Sequence, residues 1–221
     1  MARPAWNLDE RCRAFPLLAE ARRRVLVFDG AMGTMIQAAG LSPDDFAGND
    51  GCNEILVATR PDVIRHIHAT YLDAGADIIE TDTFGSTPLV LGEYGIAERA
   101  YELSREAARL ARQVVDDFSA PGRRRFVSGS VGPGTKLVSL GHVAFDDLRA
   151  SFETQIRGLI DGGVDVVQVE TCQDILQAKC AVLAARAAMQ ASGREVPIIV
   201  QVTVETTGAL LMGTETAAVI P

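Results

Sequence analysis

Asp73-Ala-Gly-Ala-Asp77-Ile-Ile-Glu80-Thr81 and Asp161-Gly-Gly-Val-Asp165-Val-Val-Gln-Val-Glu170-Thr171 are two copies of one plan. Each ends a helical pattern at glycine, turns, enters a buried apolar run and stops at Glu-Thr; the second run is two residues longer. Repeated βα units of this kind build either a (β/α)8 barrel or a doubly wound sheet. Outward from these copies, the strand candidates are residues 25–29, 77–80, 126–130, 164–170 and 197–204. Their nearly continuous apolar character suits parallel strands covered on both faces.

The intervening segments carry helical punctuation. Pro61 fits a first helical turn, and Ala69, Leu72 and Ala74 lead to Gly75 as a stop. Residues 97–118 form a long helical pattern through Leu103, Ala107, Leu110, Ala111 and Val114. Residues 146–161 repeat it and end at Gly162-Gly163, and residues 174–191 do so again before Gly193. Polar residues collect where each strand finishes: Asp29-Gly30, Glu80 to Thr83, Ser128 to Ser130, Glu170-Thr171 and Thr203 to Thr206. In a barrel these ends converge on one mouth, whereas a doubly wound sheet concentrates them at one crevice. Polar ends on every strand favour the barrel.

A closed barrel takes eight strands and typically ~250 residues. The expectation is therefore an α/β protein, a (β/α)8 TIM-type barrel present only in part, with about the first five βα units. Residues 1–23 read as an N-terminal extension and 24–221 as the incomplete barrel domain. The last segment, 213–221, reads as a helix that begins at a threonine cap. Open strand edges would make the chain a piece of a longer protein.

Composition narrows the function classes. With 48% apolar and 23% charged residues, the 221-residue chain can bury a substantial core. A formal net charge of −8 argues against a nucleic-acid partner. The basic runs Arg22 to Arg24 and Arg123 to Arg125 read as solvated rims. Residues 1–13 lack a signal-peptide pattern, and no window reaches the ~20 apolar residues of a membrane span. Four dispersed cysteines without Cys-x-x-Cys spacing suggest reduced thiols, so the expected location is cytoplasmic.

The loop Asp29-Gly30-Ala31-Met32-Gly33-Thr34 follows the first strand directly. Its small residues let backbone amides approach an anion, or it is a tight βα turn with no ligand. It contains neither a dinucleotide nor a Walker fingerprint. Glu170 ends an apolar strand and needs a cationic partner, either a substrate ammonium or a neighbouring Arg or Lys. His66 and His68 diverge on one helix, His142 stands alone, and Cys172 and Cys180 are too far apart to share an ion unaided. No metal site and no nucleophilic triad are read from these residues.

Phe28-Asp-Gly-Ala-Met-Gly-Thr34-Met-Ile-Gln37 resembles the opening loop of the homocysteine S-methyltransferases. Gly51-Cys-Asn-Glu54-Ile-Leu with Thr59-Arg-Pro-Asp62-Val-Ile is similar to the cobalamin-dependent methionine synthases among them. Asp77 to Phe84, Gly129 to Pro133, Leu140 to His142 and Val169 to Asp174 continue the match in order, from about Arg24 to the end. The resemblance implies homocysteine held at the barrel mouth, zinc on its sulfur, and transfer of a methyl group from methylcobalamin to give methionine. It places the amides of Gly30, Ala31, Met32 and Gly33 on the substrate carboxylate, and Asp29 and Glu170 on its ammonium. It also implies cobalamin and folate domains elsewhere in a full-length protein.

Two departures from the family pattern stand out. Asp82 replaces the family's usual Asn at the mouth, which removes two amide donors. The family's zinc cysteines, in Asn-Cys and Gly-Gly-Cys-Cys motifs, have no counterpart here, so this chain alone is expected to lack zinc and activity. No residue of the chain is assigned a catalytic role. The alternatives are a single-domain methyltransferase using betaine or S-methylmethionine, and a non-catalytic barrel remnant that binds a partner.

Overall fold

A computed structural model describes residues 8–219. Residues 1–7 of the extension and the last two residues of the terminal segment lie outside the described residues. Two short helices, α1 (Leu8–Ala14) and α2 (Pro16–Ala21), precede the barrel part. Next come α3 (Met32–Ala38), α4 (Leu56–Thr59), α5 (Pro61–Ala74) and strand β1 (Ile78–Glu80). A short α6 (Pro88–Leu91) and the long α7 (Ala100–Phe118) lead to β2 (Phe126–Val131). The chain continues through α8 (Phe145–Gly162), β3 (Val166–Cys172), α9 (Ile175–Ser192) and β4 (Ile198–Val202).

The strands form one parallel sheet in the order β1-β2-β3-β4. Sequential order without a reversal is barrel winding; a doubly wound sheet would change direction part-way. Alternation along each strand separates two faces. Ile79, Val127, Val131, Val167 and Val169 face the helical layer and share one core with residues of α5, α7, α8 and α9. Ile78, Phe126 and Val166 face the other way and meet Leu17 of α2, with Leu26, Phe28 and Ile199 beside them. Leu17 thus closes the barrel interior at the strand starts. Further along the same inward face, the apolar residues give way to Glu80, Ser128, Ser130, Gln168 and Glu170.

The helix stops fall where glycine was expected to place them. Gly75, Gly163 and Gly193 end α5, α8 and α9 in the left-handed region, with φ of 116°, 105° and 65°. The two Asp residues of the internal echo also do one job twice. Asp77 accepts the Val27 N–H (3.1 Å) and pairs with Arg24 and Arg125; Asp165 accepts the Val127 N–H (2.8 Å) and pairs with Arg112. Asp77 ties the start of β1 to the extended segment before α3, and Asp165 ties the start of β3 to β2.

Three expectations need correction. Residues 25–29 make no strand: only Phe28 bridges to Ile78, although Asp29 N–H donates to Ile78 O at 2.9 Å. Val25 is 84% exposed, so the run lacks the second neighbour that would hold it in a ladder. The basic runs are not simply solvated: Arg125 is 2% exposed and, with Arg24, neutralises Asp77 at the sheet's base. The terminal segment forms a short 3-10 turn, Thr216–Ala218, with Glu215 at its N-cap position but no side-chain cap bond, after an antiparallel bridge between Ala209 and Glu215. Among the described residues, no helix is long and apolar enough to cross a membrane.

Candidate functional site

The polar strand ends enclose a cleft of about 450 Å³. Its walls are Asp29, Gly30, Ala31, Met32 and Gly33 from the first loop, Glu80, Thr81, Asp82 and Phe84 after β1, Ser130 of β2 and Glu170 of β3. Asn53 and Glu54, from the 3-10 turn Asn53–Ile55, complete it. The structure therefore brings Asp29, Gly30, Ala31, Met32, Gly33, Asp82 and Glu170 together. Asn53, Glu54, Glu80, Thr81, Phe84 and Ser130 join them; the sequence marks these as polar strand ends or motif residues without assigning them a binding role.

Local structure explains how these groups are held. Gly30 lies beneath the ring of Tyr71, where an added Cβ would stand 3.1 Å from the ring; the Tyr71 hydroxyl donates to Ala31 O at 3.2 Å. The glycine there permits close approach of a neighbour. Helix α3 begins at the cleft, and Ala31 at its N-cap offers no side-chain acceptor to its first amides. The ends of β1 and β2 are locked by a hydroxyl chain. Ser130 N–H donates to Thr81 Oγ1 (3.0 Å), Thr81 and Thr83 share a 2.7 Å bond, and Thr83 Oγ1 donates to Ser130 O (2.7 Å). Gln155 of α8 donates to both Thr83 O and Ser130 O.

Glu170 sits at an irregularity. The β3–β4 register shifts between Val169 and Cys172, and Thr171 adopts φ 57°. A β-branched residue in that region is strained, and strained bulges re-aim side chains at functional sites. Here the bulge keeps Glu170 on the cleft side while Cys172 returns to the helical core. Ser130 Oγ donates to Glu170 Oε1 at 2.6 Å.

The cleft is electrostatically unbalanced. Among the described residues, five carboxyl groups line it and no Lys or Arg does. Burial, with Glu80 and Glu170 nearby, pushes the Asp29 carboxyl up to about 7, against the lowering effect of the Glu80 N–H that it accepts at 3.0 Å. Burial and Glu170 also push Glu80 up to about 7, although Gln168 donates to it. Glu170 is raised by burial, and Asp82 is raised well above the usual range by burial and by Glu54. One oxygen each of Asp29 and Asp82 is buried without a hydrogen-bond partner. Such a cluster favours a cationic ligand.

The residues do not fit a zinc site. Among the described residues no three His, Cys, Asp or Glu side chains are grouped to hold a metal. All four cysteines are buried and free, and burial pushes the thiols of Cys52 and Cys172 up to about 12 and that of Cys180 up to about 11. His68 is fully buried with neither ring nitrogen bonded, and burial depresses it to about 4, which keeps it neutral in the core.

Comparison with known proteins follows the same geometry. The chain is 51% identical over 204 residues to the methionine synthase of Mycobacterium tuberculosis, and 50% identical over 204 residues to that of Mycobacterium leprae. Each match covers 92% of this chain but only 17% of the relative's length. Crystal structures of the homocysteine methyltransferase MmuM from Escherichia coli share its fold. The metallated form gives a TM-score of 0.73 at 24% identity, over 90% of this chain and 70% of that one. The oxidised form gives 0.75 at 24%, over 93% and 71%. Residues 26–221 match the family model for homocysteine S-methyltransferases, and the chain belongs to that family.

Proposed function

We propose that the cleft holds the amino-acid end of homocysteine, as the substrate-binding part of a methyltransferase that forms methionine. The observation that carries this reading is the convergence of Asp29, Glu80 and Glu170 on a cleft that, among the described residues, has no Lys or Arg in its walls. Asp29 and Glu170 receive the ammonium, and the backbone amides of Gly30, Ala31, Met32 and Gly33 receive the carboxylate. Asp82 contacts the ligand from the β1 side, and the exposed Phe84 ring flanks its side chain.

Identity of about half to methionine synthases, against 24% to MmuM, supports a methionine synthase over a single-domain methyltransferase. In a protein of the relatives' length, cobalamin- and folate-binding domains would be this barrel's partners, and methylcobalamin would supply the methyl group. The zinc implied by the resemblance does not fit the residues described here, and no step of this reading runs through it. The cytoplasm remains the proposed location.

Calorimetric titration of the full-length protein tests the reading. L-homocysteine should bind at least about tenfold more tightly than 4-mercaptobutyrate, which lacks only the ammonium, because a hydrogen bond to a charged group is worth about 1.5–3 kcal/mol. Equal affinities would show that the carboxylate cluster does not read the ammonium.

A further inference from the structure

Asp82 and Glu54 are neighbouring carboxyl groups with unequal support. Glu54 Oε1 accepts the Gly85 N–H at 2.6 Å, and its Oε2 accepts the Cys52 thiol at 3.6 Å. Both of its oxygens therefore have a donor. Asp82 is 6% exposed, and its Oδ2 is buried with no partner although the residue lines the cleft. Two adjacent buried carboxylates without a cation cannot both stay ionised cheaply. The proton therefore belongs on the member whose oxygen nothing supports, which is Asp82. Burial and Glu54 act on it in the same direction.

A protonated carboxyl is a hydrogen-bond donor, and a buried donor requires an acceptor. Among the described residues nothing accepts at Oδ2, and Asp82 lines the cleft, so the acceptor comes from a ligand bound there. Among the groups of a bound homocysteine, its carboxylate is the oxygen acceptor. We propose that Asp82 acts as an uncharged hydrogen-bond donor to the carboxylate of the bound amino acid, and so selects for ligands that carry one. The inference rests on the homocysteine reading of the cleft. It restores one of the two donors that an amide at this position would present.

The test is calorimetric titration of the full-length protein and its Asp82→Asn and Asp82→Ala variants. The ligands are L-homocysteine and 3-aminopropane-1-thiol, which is homocysteine without its carboxylate. Asp82→Asn, isosteric and still a donor, should bind homocysteine comparably to the wild type. Asp82→Ala should bind it about tenfold or more weakly, and that difference between the two variants should be lost with the aminothiol.

The pH dependence adds a readout independent of the alanine variant's folding. Glu54 and Cys52 face Asp82, and Asp29, Glu80 and Glu170 share the cleft, so the wild-type profile alone mixes several titrations. The ratio of wild-type to Asp82→Asn affinity removes the shared part and should fall as pH rises and Asp82 loses its proton. An Asp82→Asn variant as weak as Asp82→Ala, an undiminished Asp82→Ala variant, or a ratio that rises with pH would each overturn the proposal. Failure of the wild type to bind homocysteine would instead remove the reading on which it rests.

Discussion

Glu170 reaches the cleft from the end of a buried strand because a bulge points it there and Ser130 holds one of its oxygens. Glu170→Gln keeps an acceptor for Ser130 and removes only the charge. The full-length protein should therefore fold normally and bind homocysteine about tenfold or more weakly, the scale of one hydrogen bond to a charged group. Titration giving an unchanged dissociation constant would exclude Glu170 from the ammonium site. Asp29 and Glu80 make a second prediction, because both are raised to about 7. The folded state binds more protons than the unfolded chain between the ordinary carboxylate range and pH about 7, so stability falls as pH rises through that window. Glu80→Gln removes one of these groups. Its unfolding midpoint should depend less on pH and should exceed the wild type's above pH 7, a pattern thermal unfolding across pH would reveal; identical profiles would refute the coupling. Glu80 was legible in principle. It ends its strand in the same Glu-Thr as Glu170, and the internal echo makes the two positions equivalent. Glu54 was marked only by the Gly51-Cys-Asn-Glu54 motif: no local periodicity puts it in the cleft, and a 3-10 turn distant in sequence from the strand ends does.

The helices of the outer layer meet through glycine. On α8, a Cβ at Gly158 would stand 2.6 Å from Tyr101 O and 2.9 Å from the Ser104 Cβ of α7. Replacing a helical glycine by alanine gains roughly 0.8–1.0 kcal/mol of propensity. Overpacking against a backbone oxygen costs about 1–3 kcal/mol, because the neighbour cannot rotate away. The overlap should win. Gly158→Ala is expected to destabilise the domain by up to about 2 kcal/mol, seen as a lower urea midpoint at an unchanged slope; a raised midpoint would mean that α7 and α8 can separate without loss. At this scale the helices were readable because their stops are chemical: Gly75, Gly163 and Gly193 take positive φ where the pattern breaks. Strand extents were less readable. The candidate at 197–204 shrinks to Ile198–Val202 and that at 25–29 to a single bridge. A continuous apolar run reports what its residues could bury, whereas a ladder also needs a neighbouring strand, and the local sequence does not say whether one is there.

Across the whole molecule, the sheet presents an inward face whose apolar base is closed by Leu17 and whose polar mouth forms the cleft. It also presents β4, which among the described residues pairs on one side only. Val200, Val204 and Leu211 near that edge are 44%, 46% and 51% exposed, and Val25 and Val27 lie open at the opposite side. A parallel strand with free N–H and C=O groups beside exposed apolar side chains is a template for pairing with another chain. Opposing this is the net charge of −8, which keeps copies apart. The two effects differ in range. Charge repulsion is screened over about 8 Å at physiological ionic strength and about 3 Å at 1 M salt, whereas edge pairing and apolar contact act at touching distance. Repulsion can slow the approach of two copies, but it cannot satisfy an open edge. Residues 1–221 expressed by themselves should therefore self-associate, more so as salt is added, and unfold without a sharp cooperative transition. Sedimentation velocity across a salt series, with near-UV circular dichroism on heating, checks this. A salt-independent monomer that melts cooperatively would mean that the β4 edge and its apolar margin are satisfied within the chain itself.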